Sequence, residues 1–98
     1  LEVYLMSSKP RITIHYCPRC NWLLRSAWLA QELLSTFEND LDEVALKPSE
    51  QSGFFEIRID HQIIWERKLD GGFPEAKVLK QRVRDCIDPD RSLGHSDS

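Results

Sequence analysis

Apolar and polar residues alternate along Arg11-Ile12-Thr13-Ile14-His15-Tyr16, with Ile12, Ile14 and Tyr16 to one side and Thr13, His15 and then Cys17 to the other. A period of two in a run this rich in β-formers predicts a half-buried strand. From Asn21 to Phe37 apolar residues recur at three and four positions, which predicts a helix. Leu23, Ala27, Ala30, Leu34 and Phe37 trace its stripe, Leu24, Trp28 and Leu33 widen it, and Arg25, Glu32 and Thr36 mark the wet side. Glu38-Asn39-Asp40 stops that helix, and Val44, Ala45 and Leu46 make a second strand of Glu43 to Lys47. After the polar connector Pro48 to Gly53, Phe55, Ile57 and Ile59 alternate with Phe54, Glu56 and Arg58. A tight break at Asp60-His61 then leads into Ile63-Ile64-Trp65-Glu66, a pattern that reads as a β-hairpin. Gly71-Gly72-Phe73-Pro74 is the sharpest punctuation, and Pro74 suits the first turn of a last helix. Ala76, Leu79, Val83, Cys86 and Ile87 share that helix's apolar face, with Cys86 expected to be buried and inert, and Lys77, Lys80, Arg82 and Arg84 stay wet. Asp88-Pro89 ends it.

The predicted order is β-α-β followed by β-β-α. A strand, a helix and a strand within so short a stretch form a right-handed parallel unit. A four-stranded mixed sheet with both helices on one face then buries both apolar stripes. Residues 11–87 account for one α/β domain, flanked by a flexible N-terminal segment over residues 1–10 and a flexible tail over 88–98. Leu1-Glu2 is not a natural start, and Met6 could serve as an initiator. Ninety-eight residues, 41% of them hydrophobic, support one modest core. The net charge of −3, with cations scattered among carboxylates, argues against a nucleic-acid partner. No apolar run approaches the roughly 18 residues that would span a membrane. The first residues lack the pattern of a secretory signal. Three cysteines, only two of them close together, do not make a secreted disulfide framework, so the cytoplasm is the expected compartment.

Tyr16-Cys17-Pro18-Arg19-Cys20 carries the chemistry. Two thiols three positions apart, where a strand gives way to a helix, place Cys-X-X-Cys where a thioredoxin-like fold has it. If the helix begins inside the motif, its unpaired N–H groups and dipole favour a thiolate, holding a cysteine below the ordinary pKa of about 8.5. Arg19 adds a positive charge. A thiolate with a second sulfur in reach can attack a disulfide and resolve the mixed disulfide internally. Half of a zinc site is the structural rival. It needs about two more ligands, and His15, His61, Cys86 and His95 offer no second paired motif. The sequence therefore calls for no metal and no cofactor.

Three stretches in this order resemble the selenoprotein W-like family, also known as the SelT/SelW/SelH or Rdx family: Tyr16-Cys17-Pro18-Arg19-Cys20, Gly53-Phe54-Phe55-Glu56-Ile57 and Gly71-Gly72-Phe73-Pro74-Glu75. The likeness runs from about Arg11 to Ile87. It implies a thioredoxin-like fold and a thiol-based redox role. In selenoprotein W the position matching Cys20 is selenocysteine, which puts the more reactive chalcogen second. The helix-start argument instead favours Cys17 as the attacking thiolate, as does a strand end that usually leaves that position the more exposed, so the sequence leaves open which cysteine attacks first. The cis-proline that precedes the third strand of thioredoxins has no counterpart between Ser49 and Gly53, so substrate docking there must differ.

Pro18 and Arg19 lie within the motif, and Trp22, Phe54, Gly72 and Phe73 are its candidate supporting or docking residues. Trp22 and Phe73 could form an aromatic rim beside the dithiol, Phe54 could line the other side, and Gly72 belongs to the loop that carries Phe73. His15, on the face of Cys17, could stabilise a thiolate or move a proton. The expected activity is a thiol-disulfide oxidoreductase acting in cell redox homeostasis on protein disulfides, restored by glutathione or a thioredoxin-type reductant. The rival reading is a redox-gated binding module without turnover.

Overall fold

The structure, a computed structural model, describes residues 9–90 and Leu93. These residues form β1 (Arg11–Tyr16), α1 (Leu23–Phe37), β2 (Glu43–Pro48), β3 (Phe55–Ile59), β4 (Gln62–Glu66), α2 (Arg67–Asp70) and α3 (Ala76–Ile87). The four strands make one mixed sheet in the order β2-β1-β3-β4. β1 runs parallel to β2 from Arg11↔Glu43 to Tyr16↔Pro48, which requires a crossover, and α1 supplies it. On its other side β1 is antiparallel to β3, with Ile12↔Ile59, Ile14↔Ile57 and Tyr16↔Phe55 in register. The hairpin turn lacks glycine because Asp60 takes φ +51° itself, and its carboxylate accepts the Arg11 N–H at 3.0 Å.

The helices cover one face of the sheet. Ile12, Ile14, Phe55, Ile57, Phe37, Leu79 and Val83 are completely buried between them. β4 departs from simple alternation. Ile57 pairs with Trp65 and Arg58 with Ile63, so Ile64 is the extra residue of a bulge; Ile64 and Trp65 are therefore both buried while Ile63 is exposed.

Several expectations need correction. The buried stripe of α1 is Ser26, Leu29, Ala30, Leu33 and Phe37, whereas Leu23, Leu24, Trp28 and Leu34 are exposed. So many apolar residues lie on this helix that its periodicity admits more than one inward face. Ser26 lies inward because it is small and its hydroxyl donates to Trp22 O at 2.7 Å, removing the cost of burying it unpaired. α1 also starts at Leu23 rather than Asn21, which adopts φ +62° in a turn. α2 was not foreseen: Glu66 caps it by accepting the Leu69 N–H at 2.8 Å, and Gly71 closes it at φ +83°. Pro74 precedes α3 instead of opening it. Cys86 is exposed. Neither Lys80 nor Arg82 is simply wet. Lys80 joins α3 to α1 through Glu32 at 2.9 Å. Arg82 donates to Ile64 O, pairs with Asp70 at 3.0 Å and lies over the Trp65 ring. That Arg82 hydrogen bond, with the Glu66 N–H, holds the Asp70 carboxyl below its ordinary pKa. Of the flanking segments, Lys9, Pro10, residues 88–90 and Leu93 are described; Leu93 packs against the core, and the rest of both segments lies outside the described residues.

The burial map separates two large-to-small truncations on one helix. Phe37→Ala should cost about 3–5 kcal/mol in urea unfolding, while Leu24→Ala should stay within about 0.5 kcal/mol.

Candidate functional site

β1 delivers the dithiol. Its last residue, Tyr16, is anchored on both sides, and Tyr16 O also accepts the Ser49 N–H at 2.7 Å. The chain then turns through Pro18, Arg19, Cys20 and Asn21, closed by the Asn21 N–H donating to Pro18 O at 3.1 Å. This turn brings Cys17 and Cys20 to disulfide-bonding distance, with Cα atoms 5.4 Å apart. Cys17 is only 1% exposed, whereas Cys20 is half-buried and Pro18 and Arg19 are exposed. Both grounds for making Cys17 the attacking sulfur therefore fail. It is the more buried of the pair, and α1 begins three residues beyond Cys20, so the helix does not start inside the motif.

Trp22, two residues past Cys20, belongs to an aromatic cluster. Trp22 and Phe73 meet edge to face with centroids 4.8 Å apart, and Phe73 meets Phe55 in the same way at 4.9 Å. Two guanidinium groups cover these rings: Arg25 lies 4.1 Å from the Phe73 centroid, and Arg67 lies 4.9 Å from that of Trp22. Phe73 is placed by the turn before it. Gly71 and Gly72 take φ +83° and +135°, the latter a conformation other residues scarcely adopt, and Gly72 O accepts the Trp65 Nε1–H at 2.9 Å. Gly72 thus acts through its backbone. Tyr16, Pro18, Asn21, Leu23 and Leu24 line an open groove of about 430 Å³ beside the turn. Periodicity alone places Leu23 and Leu24 in the core, whereas the structure sets them beside the turn. Arg67 carried no local signal, because α2 brings it there.

Phe54 meets the His15 ring at 4.9 Å on the sheet face opposite the helices and lines a groove of about 380 Å³ with Thr13, Lys47, Glu56 and Arg58. The buried Glu56 carboxylate accepts from Arg58 Nε at 2.7 Å. Burial lowers the His15 pKa, the Lys47 charge lowers it further, and Glu56 opposes both. Cys86 is pushed up, by partial desolvation of its thiol and by Asp85. No group of three or more His, Cys, Asp or Glu residues among those described comes together to hold a metal ion. No helix among them is long and apolar enough to cross a membrane.

A four-stranded mixed sheet with its helices on one face and a bonding-distance Cys-X-X-Cys pair at the end of β1 defines a dithiol-bearing protein of thioredoxin-like fold. The model of the Rdx family matches residues 11–85, and the chain belongs to that family. Among solved structures it is similar to the selenoprotein W-related protein from Vibrio cholerae, at 62% identity and a TM-score of 0.79 over 82% of this chain and 99% of that one. A protein from Bordetella parapertussis is also similar, at 62% identity and a TM-score of 0.78 over 81% and 99% of the two chains. No curated protein matches the chain.

The groups around His15 dictate a pH dependence. Because folding disfavours its imidazolium, the contribution of His15 to stability is complete above its ordinary pKa of 6.5 and declines as pH falls through that value toward the lower folded one. NMR titration should place the His15 midpoint below 6.5, and Lys47→Gln, which removes a repelling charge, should raise it.

Proposed function

We propose that the chain is a thiol-disulfide oxidoreductase in which Cys20 attacks and Cys17 resolves. The reading rests on one observation: two cysteines at bonding distance, of which Cys17 is 1% exposed and Cys20 only half-buried. In the reduced protein the Cys20 thiolate attacks one sulfur of a substrate disulfide, forming a mixed disulfide and releasing the other sulfur as a thiolate. Cys17, deprotonated, then attacks Cys20 Sγ. The second substrate thiolate leaves, the Cys17–Cys20 disulfide closes, and two electrons have passed to the substrate. A dithiol reductant of thioredoxin type, or two equivalents of glutathione, returns those electrons. The buried sulfur suits the resolving step, since it meets no substrate and needs only to reach its neighbour.

The groove of Tyr16, Pro18, Asn21, Leu23 and Leu24 beside the turn would dock the apolar flank of a protein disulfide, and Arg19 would favour an acidic one. A reducing compartment such as the cytoplasm would keep the dithiol ready for turnover.

After mild oxidation the intact mass should fall by two hydrogens and recover with dithiothreitol. In the reduced protein Cys20 should alkylate at least about 10-fold faster than Cys17, in line with its exposure. Cys17→Ser should trap the mixed disulfide, and Cys20→Ser should abolish turnover. A redox-gated module would instead capture partners according to its oxidation state while reducing disulfides no faster than free dithiothreitol. Variants lacking either cysteine that turn over like the parent would remove the proposal.

A further inference from the structure

β2 is an outer strand, and no strand of the described residues pairs with its free edge. The Ser49 N–H donates to Tyr16 O, and the register continues back through Lys47↔His15 and Ala45↔Thr13. Successive strand residues direct their N–H and C=O groups to alternate sides. Lys47 and Ala45 therefore face β1, while Val44 and Leu46 present theirs to the edge. This outward run is bounded at both ends. Pro48 has no N–H to offer, and the Asp42 N–H donates to Pro10 O at 2.8 Å.

We propose that this edge joins two copies of the chain, β2 running antiparallel to β2 of a second copy about a twofold axis at Ala45. In that register Val44 of each copy lies opposite Leu46 of the other and exchanges both backbone hydrogen bonds with it. Shifting the axis to Leu46 demands an N–H from Pro48. Shifting it to Val44 demands the one already given by Asp42. The side chains agree with the Ala45 register. Val44 and Leu46, on the helix-covered face, meet as a cross-strand apolar pair, and on the other face Glu43 of each copy lies opposite Lys47 of the other. A lysine on an edge strand ordinarily blocks pairing; here self-pairing brings it opposite Glu43, whose carboxylate also accepts from Arg11 of its own chain at 3.0 Å. The flank of α1 above this edge is apolar as well. Glu32, bonded to Lys80, marks the flank toward α3, and Leu23 and Leu34 lie on the opposite one, 46% and 40% exposed beside Leu46 at 37%. A second copy covers Leu34 and Leu46, and leaves Leu23 at the open groove beside the turn.

The result is one continuous sheet, β4-β3-β1-β2-β2-β1-β3-β4. Because β1 and β2 are parallel within a copy and β2 is antiparallel between copies, the two dithiol turns lie at opposite ends of the shared sheet and both stay open.

Sedimentation equilibrium of the full chain from about 1 µM to about 1 mM should show the mass rising from one chain to two. Leu46→Pro removes an N–H that only the second copy uses, so the variant should remain folded by circular dichroism while its dimer dissociation constant rises at least about tenfold. Independently, Ala45→Cys in a chain with Cys17, Cys20 and Cys86 replaced by Ser should form a chain-to-chain disulfide on mild oxidation. Residues facing each other at such an axis have Cα atoms about 4.5 Å apart, within disulfide reach. Glu50→Cys in the same background, off the edge, should not cross-link. A single-chain mass at every concentration overturns the proposal. So does failure of Ala45→Cys to cross-link selectively, or a folded Leu46→Pro variant that dimerises like the parent.

Discussion

The central position of β1 is the constraint on which the rest of the molecule depends. It is hydrogen-bonded on both edges, and its inward residues Ile12 and Ile14 are wholly buried. A strand held on both edges and packed on one face cannot slip by a residue without sending its apolar side chains to the wrong face. That rigidity is handed directly to Tyr16 and Cys17, so one sulfur of the dithiol belongs to the core while the other lies on a surface turn. The asymmetry between the cysteines follows from where the sheet ends.

The surroundings of the dithiol come from three separate parts of the chain. Trp22 and Arg25 arrive with the start of α1, Phe55 with β3, and Arg67 and Phe73 with the turn between β4 and α3. Cations set over ring faces bind more strongly where water is partly excluded, so Arg25 and Arg67 tie these parts together. Leu23 and Leu24 also arrive with the start of α1 and line the apolar groove beside the turn.

How much was legible varied with the kind of signal. The four strands, both long helices and the parallel crossover followed from periodicity, because periods of two and of three to four are imposed by backbone geometry. The dithiol followed from spacing alone. The inward face of α1 did not, since Leu23, Leu24, Trp28 and Leu34 make that helix apolar nearly all round, and only the position of the sheet and of α3 selects Leu29, Leu33 and Phe37. The bulge at Ile64 escaped for a related reason, being a property of pairing with β3 rather than of β4 itself. α2 left a readable trace in Glu66, Asp70 and Gly71, yet a single helical turn has too little periodicity to announce itself.

By itself the amino-acid order determined the element types, their succession, the family resemblance and the two sulfurs that could react, all of which depend on local pattern and on residues close in the chain. Only the tertiary structure decided which sulfur is covered, which leucines stay in water, and that His15 with Phe54 occupies a different face from Trp22 with Phe73. Burial and ring contact are set by segments tens of residues apart meeting in space, and no local repeat encodes that meeting.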